Sequence, residues 1–546
     1  MSTDKPHKNG ESYNAGKVCT PEPKADCNYE KVIASTGYGL FNIFLLFAAL
    51  PVAWTCIVDT TSTAFIINST ECIFELTMLK RGILLAAVFL GMTIAGLLWD
   101  FVLQDCITNR MGKRNILISG MLIEVTCNML QLHATSFHEF TSLKFVSGLV
   151  IAGPLSVVMT FLSEFHDSKY QKNFGRWAGL LAAASIIMPA ALAATLFLRT
   201  PWFHFTIYNN IYPTWRVYLL ICASPSIFGL LMVCLLPESP KHLIARGKKR
   251  EASQLLRAMY NLNNWRPVEE YSIPEFPSEI EQMSLSASCK NKLQESQAKL
   301  KELFSKHNLR TISTLLFLQC ASMTGFHVMR LWVPPIWVML NNFRVLVQKY
   351  YPKDELITMC EMIFPRIQKI DHTRCDYTLP DVESAVYINS TIIATSAVTF
   401  GFFFSLIATT QGKKLIVIML MFFFSTIGCF TANWALKIPY MLVMVAIVIV
   451  GSRVVGNTIL AYNIDKMPQH LRSTSASMLN VVGNFSGAVA NVIFSVVLDF
   501  NCLAAFLGLG CVTLVCSLLP ILLIEKERKN VETGMPEKYR KNDSEA

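Results

Sequence analysis

Five polar residues lie within apolar stretches that are long enough to cross a membrane, and they are the first candidates for chemistry. Arg330 and His327 lie three residues apart in one stretch, Arg453 and Asn457 lie four apart in another, and Asp59 lies in the first. A charged group in the hydrocarbon core costs at least about 2.5–3.5 kcal/mol, so its presence favours a functional role. Because residues three or four apart share a helix face, each pair predicts one binding surface. The alternatives are a structural ion pair, a side chain that reaches the headgroups or, for His327, simple packing.

Patterns typical of an enzyme, a metal site or a nucleotide site are missing from the sequence. The sixteen cysteines lack paired metal-ligand spacing, and most lie inside apolar stretches, where a buried thiol is ordinary. A glycine-rich phosphate-binding loop is also missing, so we expect no ATP-driven step. Cys72, Cys360 and Cys375 fall on the predicted outer side, and the sequence leaves open which two of them pair. We therefore predict no catalytic activity, no metal and no cofactor.

The composition is that of a membrane protein. Of the 546 residues, 52% are hydrophobic and only 16% are charged, and the mean hydropathy is +0.40; a soluble domain carries about a quarter charged residues. The net charge of +10 comes from basic residues at the ends of apolar stretches, not from a patch. That arrangement indicates a lipid bilayer as partner and argues against nucleic acid.

Twelve apolar stretches reach the roughly twenty residues that a spanning helix needs. They predict an all-α membrane fold of twelve helices in two six-helix bundles, with the following division of the chain. We expect an N-terminal tail over 1–35, a first bundle over 36–236, a central loop over 237–308, a second bundle over 309–524 with an outer loop over 341–385, and a C-terminal tail over 525–546.

Lys and Arg concentrate in the segments that this arrangement puts on the side of both tails, so both termini are predicted to be cytoplasmic. The first thirty-odd residues are polar, so we expect no cleaved signal peptide. Within the central loop, residues 246–260 have the periodicity of an amphipathic helix, either at the inner membrane surface or as a solvated linker.

Several motifs give the chain a resemblance to a known family. The sixth predicted helix and its end carry Trp215-Arg216-Val217, Pro225 and Pro237-Glu238-Ser239-Pro240, and the loop after the second helix reads Asn109-Arg-Met-Gly-Lys-Arg114. Trp332 and Pro334, and then Pro468, Arg472 and Ser473-Thr474, match further motifs. Together they resemble the synaptic vesicle glycoprotein and organic cation/anion transporter branch of the major facilitator superfamily. The long loop after the seventh helix favours the vesicle-glycoprotein side.

The resemblance implies the major facilitator fold and assigns roles to several residues. In that superfamily the first, fourth, seventh and tenth helices line a central cavity, which would place Asp59, Arg330 and Arg453 at the substrate. It also implies a cytoplasmic gate of charged residues, which here would consist of Arg110, Gly112, Arg114, Glu164, Glu238, Asp465 and Arg472. Two departures weaken this gate: Asn109 replaces the family's acid, and the second-half repeat, Thr409 to Lys414, has no acid.

Other polar positions have weaker expectations. Glu124, Asn128 and Gln131 form a stripe on the third helix, and a stripe from Ser477 to Asn491 follows the eleventh; for both we favour helix packing over binding. Lys144 is interpreted as an interface anchor or as a residue that helps proton coupling. Asn68-Ser-Thr70 is a glycosylation sequon close to the predicted bilayer.

The sequence therefore predicts a secondary active transporter of a small organic solute, working by alternating access. Two basic residues against one acid favour an anionic solute. We expect a monomer in the plasma membrane or an intracellular vesicle membrane, with a coupling proton or ion. The alternative is a non-transporting protein of the same fold that acts as a vesicle-membrane organiser or receptor.

Overall fold

The computed structural model describes most of the chain and is dominated by long helices. The described residues are 29, 31–71, 73–99, 101, 104–197, 205–207, 210–265, 289–350, 358–363, 385–432, 434 and 438–524.

The first half of the chain forms six spans and nine helices, because two of the spans are interrupted and the short α3 lies between the second and third spans. The helices are α1 Leu40–Thr70, α2 Met78–Leu98, α3 Gln104–Met111, α4 Lys113–Gln131, α5 Phe137–Ser163, α6 Ser168–Ala184, α7 Ile187–Leu196, α8 Thr214–Cys222 and α9 Ser224–Leu235. Helices α6 and α7 together form the fifth span, and α8 and α9 form the sixth. Between them lies an antiparallel hairpin of β1 Phe205–Ile207 and β2 Asn210–Tyr212.

A short central segment and six further spans complete the fold. The central helices are α10 Pro240–Ala245, α11 Lys249–Asn264 and α12 Cys289–Leu303; the later ones are α13 Lys306–Tyr350, α14 Met359–Ile363, α15 Ala385–Ile407, α16 Gln411–Ala432, α17 Ile438–Lys466, α18 Gln469–Phe500 and α19 Cys502–Leu518. We call the end of the molecule with β1 and β2 the hairpin face, and the opposite end, with α10 to α12, the central-segment face.

Eleven of the described helices are long and apolar enough to cross a membrane. The third span in chain order, α4, falls short because it carries several polar residues in its nineteen positions. Two of them, Glu124 and Gln131, are nevertheless buried, with exposed fractions of 0% and 2%. Both polar side chains therefore point into the bundle interior, where a spanning helix can carry polar residues. The predicted twelve-helix membrane fold is confirmed, with the small hairpin as an addition.

The two bundles meet where α2 packs antiparallel along α18. Small residues allow close contact: a Cβ on Gly82 would lie 2.6 Å from the Cβ of Ser495, and a Cβ on Gly487 would lie 3.2 Å from the ring of Phe89. Asn491 is fully buried and donates to the carbonyl of Gly487 at 2.6 Å. The stripe on the eleventh span thus includes residues packed between the bundles.

On the central-segment face, α11 packs against the first bundle. Its apolar side, Ala252, Leu256 and Met259, is completely buried. At its end, Asn263 accepts a hydrogen bond from the backbone N–H of Phe41 at 3.1 Å and donates to the Asn42 side chain at 2.9 Å. The helix therefore holds the start of α1.

On the hairpin face, the structure corrects the predicted disulfide candidates. Cys360 in α14 is bonded to Cys502, at the start of α19. Cys502 had not been counted among the outer cysteines because it begins an apolar stretch. The other two candidates, Cys72 and Cys375, lie outside the described residues.

Candidate functional site

Two arginines from different helices of the second bundle flank one aromatic ring. The guanidinium carbons of Arg330, on α13, and Arg453, on α17, each lie 5.0 Å from the centre of the Phe326 ring. Cation–π contacts of this kind contribute about 0.5–2 kcal/mol each. That is too little to compensate two charges in the interior of a membrane.

Arg330 also connects the two bundles. Its Nη1 donates to the hydroxyl of Thr61 on α1 at 2.9 Å, and its Nη2 lies 3.4 Å from Nδ1 of His327. The buried Nε has no hydrogen-bond partner in the part of the chain that the structure describes. Part of the guanidinium's donor capacity therefore remains unused.

Within the described part of the chain, neither arginine forms a salt bridge to an acidic side chain. Both are only half-buried. Arg330 borders a cavity of about 30 Å³, which also has Phe65, Ser390 and Ile449 on its walls. A cavity of this size holds a water or two, not an organic solute. The bundles must therefore separate at this point if a solute is to enter.

An aromatic cluster lies next to this cavity, towards the hairpin face. Phe65 and Phe197 of the first bundle contact Tyr387 of the second, with ring centres 6.3 and 5.5 Å apart. Tyr218 contacts both phenylalanines, at 6.4 and 5.3 Å. These four rings pack the two bundles together on the hairpin side of Arg330.

The structure places the two remaining predicted binding residues differently. His327 is half-buried and packs on Phe89 of α2, with ring centres 4.4 Å apart. Asn457, one turn beyond Arg453, is exposed and lies beside Gly401 of α15. His327 is thus part of the contact between the bundles, and Asn457 lies on the central-segment side of Arg453.

Asp59 lies apart from the arginines, in a polar cluster inside the first bundle. Its Oδ1 is 2.5 Å from Nζ of Lys144, and the two side chains are 4% and 1% exposed. Removing one partner of a buried pair like this costs about 3–5 kcal/mol. Lys144 is therefore not free but paired with Asp59 inside the bundle.

The same cluster includes the polar stripe of α4. The hydroxyl of Ser147 lies 2.7 Å from Oδ2 of Asp59 and 2.8 Å from Oε1 of Glu124. Asn128 contacts Glu124 at 3.3 Å, and the second oxygen of Glu124 is buried without a partner. A cavity of about 10 Å³ beside Asp59 and Lys144 is large enough for about one water molecule. This cluster is suited to protons and not to a solute.

On the central-segment face, the first-bundle gate residues collect around the start of α4. Gly112 has φ +84°, and a Cβ there would lie 2.6 Å from Oε2 of Glu238. The other oxygen of Glu238 accepts from the backbone N–H of Arg114 at 3.4 Å. Glu164 pairs with Lys113 at 2.9 Å and accepts from the hydroxyl of Ser239. The carboxylates thus lie where the positive end of the α4 dipole favours them.

The basic gate residues make mainly backbone contacts. Arg114 donates from Nη2 to the carbonyl of Cys234 at 2.7 Å, and Arg246 donates to the carbonyl of Arg110. Arg472 donates from Nε to the carbonyl of Met467 at 3.0 Å. The side chain of Asn109, at the position of the family's acid, is not described.

The second bundle repeats the ion pair of the first. Asp465 pairs with Lys414, and Glu164 pairs with Lys113. In each pair the basic residue begins a span and the acid ends a later one, and the sequence separation is 51 residues in both. Each pair lies within one bundle. They therefore brace the bundle ends individually and do not bridge the two bundles.

Two ionisable groups at this face have displaced pKa values. Burial lowers the pKa of His242, although the nearby Glu238 opposes the shift. Burial raises the pKa of Tyr29, and the neighbouring Glu164 raises it further. His242 is therefore more readily neutral, and Tyr29 more firmly protonated, than in water.

The predicted sequon and the residues that the sequence did not single out are also placed. Asn68 lies half-buried in the last turn of α1, and Thr70 is fully buried. The glycosylation of Asn68 stays a prediction.

The sequence did not indicate Phe326, Thr61, Lys113 or Ser147. For Lys113 the basic residues at the corresponding place of the second-half repeat, Lys413 and Lys414, were the available signal; the other three are ordinary residues of apolar helices.

Comparison with known proteins agrees with this geometry. Residues 59–329 match the family described as "Sugar (and other) transporter". Over 235 residues, 43% of this chain, it is 26% identical to synaptic vesicle glycoprotein 2B of Rattus norvegicus and 24% identical to synaptic vesicle glycoprotein 2A of Homo sapiens. The matched part is about a third of each relative, 34% and 31% of its length.

Among solved structures, the chain resembles the xylose transporter XylE of E. coli in a partially occluded inward-open conformation. The TM-score is 0.59 at 12% identity, and the alignment covers 88% of this chain and 98% of that one. An inward-open structure of the same protein gives a TM-score of 0.57. The identity is low, so this likeness concerns the fold. Taken with the family match over residues 59–329 and the shared motifs, it means that this multi-pass membrane protein has the major facilitator fold and is similar in sequence to the synaptic vesicle glycoproteins.

Proposed function

We propose that the chain is a secondary active transporter that carries a small organic anion by alternating access. The observation that carries this proposal is the arginine pair on Phe326, which has no acidic partner among the described residues. Each charge in the membrane interior costs at least about 2.5–3.5 kcal/mol. A bound carboxylate, sulfate or phosphate would offset that cost, since each charge-assisted hydrogen bond contributes about 1.5–3 kcal/mol.

The surroundings of the arginines are suited to alternating access. Arg330 belongs to the second bundle but donates to Thr61 of the first, so an arriving anion competes directly with a contact between the bundles. The aromatic cluster closes the hairpin side, and the exposed Asn457 lies on the other side. An anion that draws Arg330 away from Thr61 would favour separation of the bundles, because a ligand shifts an equilibrium by its differential affinity.

The membrane arrangement follows from charge. We propose that the central-segment face, with its basic α10 and α11, is cytoplasmic, together with both tails. The disulfide at the opposite face agrees with an oxidising compartment outside the cell or in a vesicle lumen. The chain would act as a monomer in the plasma membrane or a vesicle membrane.

The test is an uptake screen in proteoliposomes with organic anions, cations and neutral sugars, each with and without a pH gradient. We expect uptake of at least one anion, and Arg453→Ala should reduce it tenfold or more at near-normal protein incorporation. Arg453→Lys, which keeps the charge but loses the planar fork, should be intermediate.

Arg216→Ala is the matched control, because Arg216 is half-buried but packs on Trp215 near the hairpin face, away from the arginine pair. It should change uptake less than twofold. Normal anion uptake by Arg453→Ala, or uptake restricted to neutral sugars, would contradict the proposed site.

A second function, a non-transporting organiser or receptor of vesicle membranes, is favoured by one observation. Asp59 and Lys144 are paired off in packed helices and do not face a solute cavity. If no solute in the screen is accumulated while the protein still binds an anion, this second function gains support.

A further inference from the structure

Ser147 contacts two acidic side chains but has only one hydroxyl hydrogen. If both acids are ionised, one of these two contacts therefore lacks a hydrogen. Ser147 lies at hydrogen-bond distance from Asp59, 2.7 Å, and from Glu124, 2.8 Å. A serine hydroxyl has one hydrogen to donate. If both carboxyl groups were ionised, one contact would bring two oxygens to 2.8 Å with no hydrogen between them.

The missing hydrogen can be assigned from the neighbouring groups. Nζ of Lys144 lies 2.5 Å from Oδ1 of Asp59, and the two groups form a buried salt bridge. Among the described residues, Glu124 has no basic partner in contact: Asn128 is 3.3 Å from one oxygen, and the other oxygen is buried and unpaired. The cluster also contains two acids and one base, so one added proton makes its net charge zero. The low-dielectric interior favours such a neutral cluster.

We propose that Glu124 is protonated and donates a hydrogen bond to the hydroxyl of Ser147, which in turn donates a hydrogen bond to Asp59. This goes beyond the proposed function, since it assigns a proton-binding site to the first bundle. The other titratable groups facing the cluster are thiols, Cys56 on α1, Cys127 on α4 and Cys222 on α8. From the second bundle, the charge of Arg330 is close enough to influence Cys56.

The chain of contacts also provides a relay. When Lys144 moves away from Asp59, the Glu124 proton can pass to Ser147 while the Ser147 proton passes to Asp59. The hydroxyl is unchanged by this exchange, Glu124 becomes a carboxylate and Asp59 becomes neutral, so atoms and charge balance. If the chain transports, this movement would couple a proton to the first bundle, a consequence that rests on the proposed function.

The direct test is infrared spectroscopy of the purified full-length protein at neutral pH, in water and in heavy water. A protonated carboxyl group has a carbonyl stretch separate from the amide bands. We expect that band in the wild type and its loss in Glu124→Gln. Glu139→Gln is the matched control, since Glu139 is an exposed acid at the first turn of α5 and should leave the band unchanged.

A second variant follows from the charge count and keeps the test valid if Glu124→Gln fails to fold. Lys144→Met leaves two acids without a base, so the band should grow about twofold as Asp59 also takes a proton. Absence of the band from the wild type, its persistence in Glu124→Gln, or an unchanged band in Lys144→Met would overturn the proposal. Uptake measured in parallel separates the two questions: a transport-inactive wild type with the infrared band would remove the proposed function and leave the proton site.

Discussion

Gly112 is the position where the backbone of the gate depends most clearly on one residue. Its φ of +84° and ψ of +154° lie in a region that is essentially restricted to glycine. A Cβ there would also lie 2.6 Å from Glu238 Oε2 and 3.0 Å from His242 Nε2. Gly112→Ala must therefore either change the backbone or displace the carboxylate that accepts from the N–H of Arg114.

The expected loss follows from these two effects. A side chain in such a backbone region costs about 1–3 kcal/mol. The displaced Glu238 would lose a hydrogen bond at the start of α4, which adds about 0.5–1.5 kcal/mol. We expect Gly112→Ala to lower the free energy of unfolding by about 1.5–4.5 kcal/mol, the sum of the two ranges. Unfolding in mixed SDS and detergent micelles, followed by circular dichroism, measures this.

Gly412 provides the matched control in the second-half repeat. It lies in the first turn of α16, with nothing within 4 Å of an added Cβ and no positive φ. Gly412→Ala should be neutral, or stabilising by up to about 1 kcal/mol. Equal stabilities for the two alanine variants would refute the steric and conformational argument at Gly112.

Three further predictions concern the two ends of the bundles. Glu164→Gln and Asp465→Asn should each weaken only their own bundle, by about 1–2 kcal/mol, as measured by bundle-specific proteolysis; equal loss in both bundles would contradict the separate braces. The pKa of His242 is lower in the folded state than in the unfolded state. The stability contributed by neutral His242 is therefore complete above the unfolded-state pKa and is lost as the pH falls from that pKa towards the folded-state pKa. Thermal stability should therefore fall as the pH is lowered through the ordinary histidine pKa of about 6.5, and His242→Asn should flatten that slope; an unchanged slope would contradict it. A peptide linked through Cys360 and Cys502 should appear in a non-reducing digest, and Cys360→Ser should cost about 2–4 kcal/mol; finding both thiols free would contradict the pairing.

The fold could be predicted from the sequence because spanning helices leave a strong apolar signal and the family motifs are specific. The twelve-helix arrangement and the resemblance to the superfamily are confirmed. The chemistry-bearing residue types were also visible, since a charge inside an apolar stretch stands out. The gate and binding assignments of individual residues remain predictions.

Partners of these residues could not be predicted, because pairing depends on how neighbouring helices are rotated about their axes. Asp59 and Lys144 are 85 residues apart, and the sequence does not show that their helix faces meet. For the same reason the sequence predicts packing for the α4 stripe that includes Glu124 but does not show that Ser147 connects this stripe to Asp59. Cys502 was missed because a cysteine at the start of an apolar helix resembles a buried one.

Direct binding to the arginine pair tests the central claim most closely. The measurement is the thermal stabilisation of purified protein by a panel of mono- and dicarboxylates, organic sulfates, their neutral amides, matching diamines and D-xylose. A ligand at a hundred times its Kd stabilises by about 2.7 kcal/mol. We expect at least one anion to stabilise the wild type, its neutral and cationic analogues to bind tenfold or more weakly, and Arg330→Ala and Arg453→Ala to abolish the shift. Equal stabilisation by the neutral analogues, or an anion shift that survives in both variants, would contradict an anion site at Arg330 and Arg453.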